Sequence, residues 1–170
     1  MATVANLVSV EEYLHSVYEP DAEYVDGEIE ERPMGEYDHS AWQAALVSFF
    51  MQWRVEWGIR ARPELRVRVA ERRYRVPDVV LLSREAPIEE IVEYPPLAVF
   101  EILSPEDRMT RMLVKLEDYA QMGIGAIWVI EPKSRRTFRY TSGHLAEASL
   151  FVLPGSGRQV AMSEFFALLD

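Results

Sequence analysis

The sequence predicts a single α/β (α+β) domain spanning residues 1–170, with a central mixed β-sheet flanked by helices. Three observations carry that prediction. From residue 38 onward the patterning reads helix, strand, strand, strand, helix, strand. Two of those strands, around Val79–Leu82 and Leu97–Leu103, are short runs rich in Val, Ile and Leu, the signature of strands buried on both faces. No internal repeat, low-complexity tract or linker divides the chain. At 170 residues, with 49% hydrophobic and 27% charged side chains, it is long and apolar enough to bury one sizeable core.

The elements follow in order. Ser9-Val10-Glu11-Glu12 is a capping box opening a short helix through about Val17. In Glu23-Tyr24-Val25-Asp26-Gly27-Glu28-Ile29-Glu30, Asp-Gly stands between two alternating segments, a β-hairpin signal. Pro33 to Glu36 is a loop. Asp38 is placed as the N-cap of a helix running to Trp57 and ending at Gly58, with Trp42, Leu46, Phe49, Phe50 and Trp53 on its core face. Ile59 to Val69 alternates apolar and charged residues, which predicts one half-buried strand with Arg60, Arg62, Arg66 and Arg68 on its outer face; Pro63 marks an edge or a bulge. Arg73 to Leu82 and Pro96 to Leu103 are the next two strands. Ser104-Pro105-Glu106-Asp107 predicts a helix start, continuing to Met122 before Gly123, with Met109, Met112, Leu113, Leu116 and Ala120 as its buried stripe and Arg108, Arg111 and Lys115 along the border. Ala126–Glu131 is another buried strand. A C-terminal β extension (Thr137–Tyr140, Glu147–Leu153, Arg158–Ala161) and a helix capped by Ser163 complete the chain.

Composition narrows the function classes. No cysteine is present, which excludes disulfides, thiolate nucleophiles and Cys-based zinc sites and fits a cytoplasmic protein. Met1-Ala2-Thr3-Val4 has neither a basic nor an apolar leader pattern, and the longest apolar runs are too short to span a bilayer, so no membrane association is expected. The phosphate-binding Gly-x-x-x-x-Gly-Lys loop, the dinucleotide fingerprint and the Gly-x-Ser-x-Gly elbow are all missing. His15 and His144 have no metal-ligand spacing. The net charge is −10, but it is unevenly spread: residues 11–38 hold eleven acids against Arg32 alone, whereas residues 54–75 hold eight arginines against Glu56, Glu64 and Glu71. That asymmetry suggests an anionic partner; the alternative is that the two segments neutralise each other in the fold.

The chemistry concentrates in the apolar strands. Each contains one carboxylate, Asp78 or Glu101. A carboxylate inside an apolar strand costs several kcal/mol to desolvate unless something pairs with it. Two on neighbouring strands point to a shared partner, and a divalent cation is the simplest. Of 18 basic residues only Lys115 and Lys133 are lysine, so a chain that otherwise uses arginine has a compact, pKa-tunable donor on the helix that follows Glu101.

Tyr24-Val25-Asp26-Gly27-Glu28, His39 at a helix start, Pro77-Asp78-Val79-Val80, Phe100-Glu101-Ile102-Leu103-Ser104-Pro105, Lys115 through Tyr119 to Gly123, and Ile127-Trp128-Val129-Ile130 occur in an order that resembles the PD-(D/E)XK nuclease superfamily. More narrowly, the chain resembles a large bacterial family of restriction endonuclease-like proteins, over roughly residues 9–140. The resemblance implies a restriction endonuclease-like core and metal-dependent hydrolysis of phosphodiester bonds. Asp78 and Glu101 would hold Mg²⁺ or Mn²⁺, with the Ile102 backbone carbonyl as a third oxygen ligand. The superfamily's lysine stands two residues after the acid; here that position is Leu103, and Lys115 takes its place, assisting the attacking water as in branches where the lysine has migrated. His39 falls where relatives carry a residue supporting the site, and Glu28 is a further candidate for the metal shell. Arg66, Arg68, Arg108 and Arg111 are the candidates for contact with DNA phosphates. A homodimer is expected, since cutting two strands needs two sites. The second function class is a catalytically inactive, homodimeric binding or regulatory protein on the same fold.

Overall fold

The computed structural model describes residues 6–170; Met1–Val4, where no leader pattern was expected, lie outside them. In chain order the elements are α1 (Val10–His15), β1 (Ala22–Val25), β2 (Glu28–Glu31), α2 (Tyr37–Gln52), β3 (Ile59–Pro63), β4 (Val67–Ala70), β5 (Arg73–Arg75), β6 (Val79–Ser83) and β7 (Ala98–Ile102). They continue with α3 (Met109–Met122), β8 (Ala126–Glu131), β9 (Arg136–Thr141), β10 (His144–Glu147), β11 (Leu150–Val152), β12 (Gln159–Ala161) and a 3-10 helix, Met162–Leu168. Six strands form the central sheet in the order β10-β9-β8-β7-β6-β3. β7 and β8 are parallel, joined by α3 as crossover, and the other neighbours are antiparallel, so the sheet is mixed as expected. A second sheet, β2-β1-β5-β4, is built around the Asp26-Gly27 hairpin, whose turn residues have φ of 49° and 102°.

Period-2 alternation sorts each central strand onto two cores. Val79, Leu81, Phe100, Ile102, Trp128 and Ile130 face α2, β11–β12 and the 3-10 helix. Val80, Leu82, Val99, Ile127 and Val129 face β4 and α3, against Met112, Leu116 and Tyr119. Both faces are covered, which is why Val79–Leu82 and β7 are apolar on both faces but for Glu101. A third cluster, Tyr13, Tyr24 and Tyr74, seats α1 on the smaller sheet.

Several expectations are corrected. Ile59–Val69 is two strands: β3 joins the central sheet and β4 the smaller one. Pro63 has no N–H with which to continue a ladder, and Glu64 turns the chain at φ 51°. Arg73–Leu82 divides the same way at Pro77, so Asp78 sits where the chain crosses between sheets, one residue before β6, and not inside a strand. α2 ends at Gln52, not Trp57; its N-cap is Glu36, without a side-chain cap bond, and Asp38 lies in its first turn. Beyond it Trp53 and Trp57 fold back around Phe49 as turns.

Ser104-Pro105-Glu106-Asp107 forms a turn, not the first turn of a helix: the Asp107 carboxylate accepts from the Ser104 N–H at 2.6 Å, and α3 starts only at Met109. The buried face of α3 is rotated from the expected stripe. Met109 and Leu113 are partly exposed, while Lys115, Asp118 and Tyr119 point inward, because what lies beneath that face is a set of buried charges and not only apolar strand residues. Glu147–Leu153 divides into β10 and β11, and the terminal helix is 3-10, capped at Ala161 and not at Ser163.

Candidate active site

Antiparallel register brings the two strand-associated carboxylates together. β6 pairs with β7 as Val79↔Phe100 and Val80↔Val99; one step further the same register sets Asp78 opposite Glu101. Both alternate onto the face covered by α3, and both are buried, 4% and 2% exposed. The Ile102 N–H donates to Asp78 Oδ2 at 2.7 Å, tying β7 to the crossing point. They line the floor of a cavity of about 620 Å³, whose walls come from the loop after β2, the start of α2, the turn after β7 and the start of α3.

Lys115 closes the floor from above. Its Nζ donates to Glu101 Oε2 at 2.9 Å and lies 2.7 Å from Glu23 Oε1. The Tyr119 hydroxyl, one turn along α3, donates to Glu101 Oε1 at 2.6 Å. Glu23 also accepts from the Val76 N–H at 2.9 Å and from Arg75 at 3.0 Å. Arg75 is itself 1% exposed and further donates to Asp118 and Glu30. Every buried charge in this cluster therefore has an opposite partner within hydrogen-bond reach, which buried charges require.

Asp78 is neutralised from the cavity side. Arg32 Nη2 reaches its Oδ1 at 2.6 Å and His39 Nε2 approaches the same oxygen at 3.2 Å. Gln43 of α2 donates to the Asp78 carbonyl at 2.9 Å, fixing the backbone at the crossing.

These contacts set the protonation states. Burial would raise Glu23, but Lys115 and Arg75 and their hydrogen bonds hold it below the usual 4.5. Burial likewise opposes ionisation of Asp78, and His39, Lys115 and Arg32 overcome it, keeping the carboxyl low. Glu101 goes the other way: burial, joined by repulsion from Asp78 and Glu23, pushes it up to about 7 despite Lys115. Lys115 is raised, because Glu101, Glu23 and Asp78 outweigh its desolvation, so it is a charged donor and not a base. His39 is raised by Asp78 against the pull of burial, and Tyr119 is raised well above 10 by burial and by Glu101, so its hydroxyl keeps its proton.

The structure brings Asp78, Glu101, Lys115, His39 and Ile102 to one cavity, with Arg108 and Arg111 on its wall. It does not bring Glu28, which is exposed in β2, opposite Val25. Nor does it bring Arg66 or Arg68: Arg66 lies over the Tyr13 ring, and Arg68 meets Glu93 and the Glu71 carbonyl. Glu23, Arg32, Arg75, Asp118 and Tyr119 belong to the site and were not read from the sequence. The hairpin signal could have set Glu23 opposite Glu30, but the pairing that puts it one step past Tyr24↔Tyr74, beside Arg75, has no local mark in the sequence.

Asp78, Glu101 and the Ile102 carbonyl supply an all-oxygen donor set, which by chemistry fits Mg²⁺ or Mn²⁺. Among the described residues, however, no three His, Cys, Asp or Glu side chains are grouped to hold a metal ion, since Asp78 is turned to Arg32 and His39, and Glu101 to Lys115 and Tyr119.

A family model described as "Putative restriction endonuclease" (Uma2) matches residues 10–167. A solved structure described as a "putative nuclease belonging to DUF820", from Anabaena variabilis ATCC 29413, shares the fold with a TM-score of 0.81. It is 24% identical and the match covers 96% of this chain and 99% of that one. No curated protein matches the sequence.

Proposed function

The chain belongs to this Uma2 restriction endonuclease-like family, and from that premise we propose that it is a metal-dependent DNA endonuclease of the PD-(D/E)XK type. The observation that carries the reading is the meeting of Asp78, Glu101 and Lys115, from a sheet crossing, a central strand and a helix, on the floor of one open polar cavity.

Asp78 and Glu101, with the Ile102 carbonyl, would hold Mg²⁺ or Mn²⁺. Such an ion, when bound, supplies an acidified water and offsets charge on a phosphate. The chain's own residues do the rest. Tyr119 and Lys115 fix the Glu101 carboxylate by one hydrogen bond to each oxygen, leaving it a single rotamer. Glu23, itself held by Arg75, in turn holds Lys115 at the cavity floor, so its ammonium is a preorganised positive charge where a phosphate gains negative charge during hydrolysis. Arg108 and Arg111, on the wall, meet phosphates flanking the scissile one. Cleavage of both strands would take two chains, so the active form is a homodimer.

The test is Mg²⁺- or Mn²⁺-dependent cleavage of plasmid and single-stranded DNA, run beside Asp78→Asn, Glu101→Gln and Lys115→Met. The expected result is metal-dependent nicking that falls at least about 100-fold in each variant. Equal cleavage by all four proteins would mark a contaminant. No cleavage, with no metal-induced rise in melting temperature that depends on Asp78, would favour the second reading, a homodimeric binding protein. The existing neutralisation of both carboxylates by side chains is the observation that supports that one.

A further inference from the structure

The cation already at Asp78 comes from an element of its own. Lys115 and His39 are carried by helices, but Arg32 stands on irregular chain between β2 and α2. Among the described residues, 32–35 make no backbone–backbone hydrogen bond. Its guanidinium touches two carboxylates of opposite setting: Nη2 lies 2.6 Å from Asp78, whose side chain is 5% exposed, and Nη1 lies 3.6 Å from Glu64, whose side chain is 51% exposed. Glu64 caps the cavity rim at the end of β3, and Gln43 spans the same two residues, donating to the Asp78 carbonyl and, at 3.4 Å, to Glu64. The charged group best placed to leave Asp78 thus has its next partner waiting toward solvent.

We propose that Arg32 is a displaceable latch on the cation position. It holds Asp78 in charge balance, and it gives up Asp78 for Glu64 and the cavity mouth when a divalent cation takes its place. This rests on the metal-dependent reading above and adds to it an order of events. Arg32 leaves the floor before phosphate can be engaged there, and once at the mouth it is a third arginine, beside Arg108 and Arg111, facing an incoming polyanion. The charge balance holds because one positive group replaces another at a buried carboxylate, so Asp78 is never left unpaired.

The experiment is calorimetric titration of Mn²⁺ into the wild-type protein, Arg32→Gln, Asp78→Asn and Glu64→Gln, together with Arg32→Gln/Glu64→Gln. Arg32→Gln is expected to bind Mn²⁺ about tenfold or more tightly than wild type, the competition of one charge-assisted hydrogen bond having been removed. Asp78→Asn abolishes binding. Glu64→Gln weakens binding when Arg32 is present and has little effect when it is not, since only then does the displaced guanidinium lose its second partner. In the unmutated protein, modification of Arg32 by phenylglyoxal, mapped by mass spectrometry, should rise several-fold on saturation with Mn²⁺. Equal Mn²⁺ affinity of wild type and Arg32→Gln, or unchanged Arg32 modification, overturns the latch and leaves the nuclease reading standing. If neither wild type nor Arg32→Gln binds Mn²⁺, the metal-dependent reading falls and the latch with it.

Discussion

Lys115 is one positive charge set between two buried carboxylates that titrate in opposite directions. Glu23 has a second cation, Arg75, and a backbone N–H, so it stays ionised; Glu101 shares Lys115 and has only the Tyr119 hydroxyl besides, so it is the carboxyl that takes up a proton. The consequence for stability has a definite sign. With a folded value of about 7 against an ordinary 4.5, Glu101 makes the folded chain hold a proton that the unfolded chain has released. Its contribution is therefore fully present below 4.5 and is lost as pH rises through about 7. His39, also raised, acts in the same direction above its ordinary 6.5. Glu23 and Asp78, both lowered, stabilise above their ordinary 4.5 and 3.8 and lose that contribution as pH falls. In EDTA, the melting temperature should peak in mildly acidic solution and decline toward pH 8, by an amount equivalent to at most about 3 kcal/mol from Glu101. Glu101→Gln should flatten the alkaline decline while keeping the acidic one; an unchanged profile would assign the decline elsewhere. Of the residues in this cluster, Asp78, Glu101 and Lys115 were legible because a charge in an apolar run is conspicuous. Glu23 and Arg75 were not, because each stands in a short alternating strand like any solvated charge, and the pairing that buries them joins strands about fifty positions apart. Arg32 looked like a lone counter-charge in an acidic loop.

Among the elements, the hairpin does more than its length suggests. β1 carries Glu23 into the cluster and β2 carries Glu30 to Arg75, so the turn that sets their register also sets the floor of the cavity. Gly27 sits at φ 102°, and a Cβ there would lie 3.0 Å from Leu7 Cδ2. Gly27→Ala should therefore cost about 1–2 kcal/mol in urea unfolding, combining backbone strain with the displacement of Leu7; a cost near zero would mean that the turn does not hold the register. The hairpin was readable from Asp-Gly between alternating segments, as were β7, β8 and the end of α3 at Gly123. The capping box at Ser9 marked the start of α1 correctly, but the starts of α2 and α3 and the three divided strands were not readable. A Ser-Pro-Glu-Asp segment supports an isolated turn as well as a helix start, and alternation along 59–69 is preserved even though β3 and β4 belong to different sheets, so periodicity alone cannot reveal the break.

Over the whole molecule, much of the basic segment is engaged in contacts within the chain. Arg60 donates to carbonyls at Ser83, Arg84 and Ala86, and Arg73 and Arg75 are spent on Asp26, Asp118, Glu23 and Glu30. Ion pairs join Arg66, Arg73 and Arg75 to Asp21, Asp26, Glu23 and Glu30, so mutual neutralisation of the acidic and basic segments, one of the two sequence readings, accounts for part of that charge, while Arg54, Arg62 and Arg72 stay exposed. With a net charge of −10 and Arg108 and Arg111 as the wall cations, DNA binding should depend only weakly on salt. The log–log slope of affinity against salt, measured on Glu101→Gln by fluorescence anisotropy in EDTA, where Arg32 stays on Asp78, should be no steeper than about −2, and Arg111→Ala should reduce it by about 0.9. A slope of about −6 or steeper would mean that DNA meets arginines beyond the cavity wall and would overturn this prediction. The mixed central sheet and its covering helices were legible from element order and from the doubly buried strands. The second sheet was not, because its strands alternate in sequence with those of the first.

That interleaving has a kinetic meaning. Glu23 and Lys115 are separated by ninety-two positions in the sequence, and their contact needs the hairpin, both sheet crossings and the α3 crossover all in place. Such a contact earns nothing until the chain between its ends is ordered, and its groups stay hydrated until then. The Glu23–Lys115 closure of the charged floor is thus expected among the last contacts to form during folding. Its ion pairs act chiefly as a brake on unfolding, so the region that offers the chemistry also sets how long the native state survives once made.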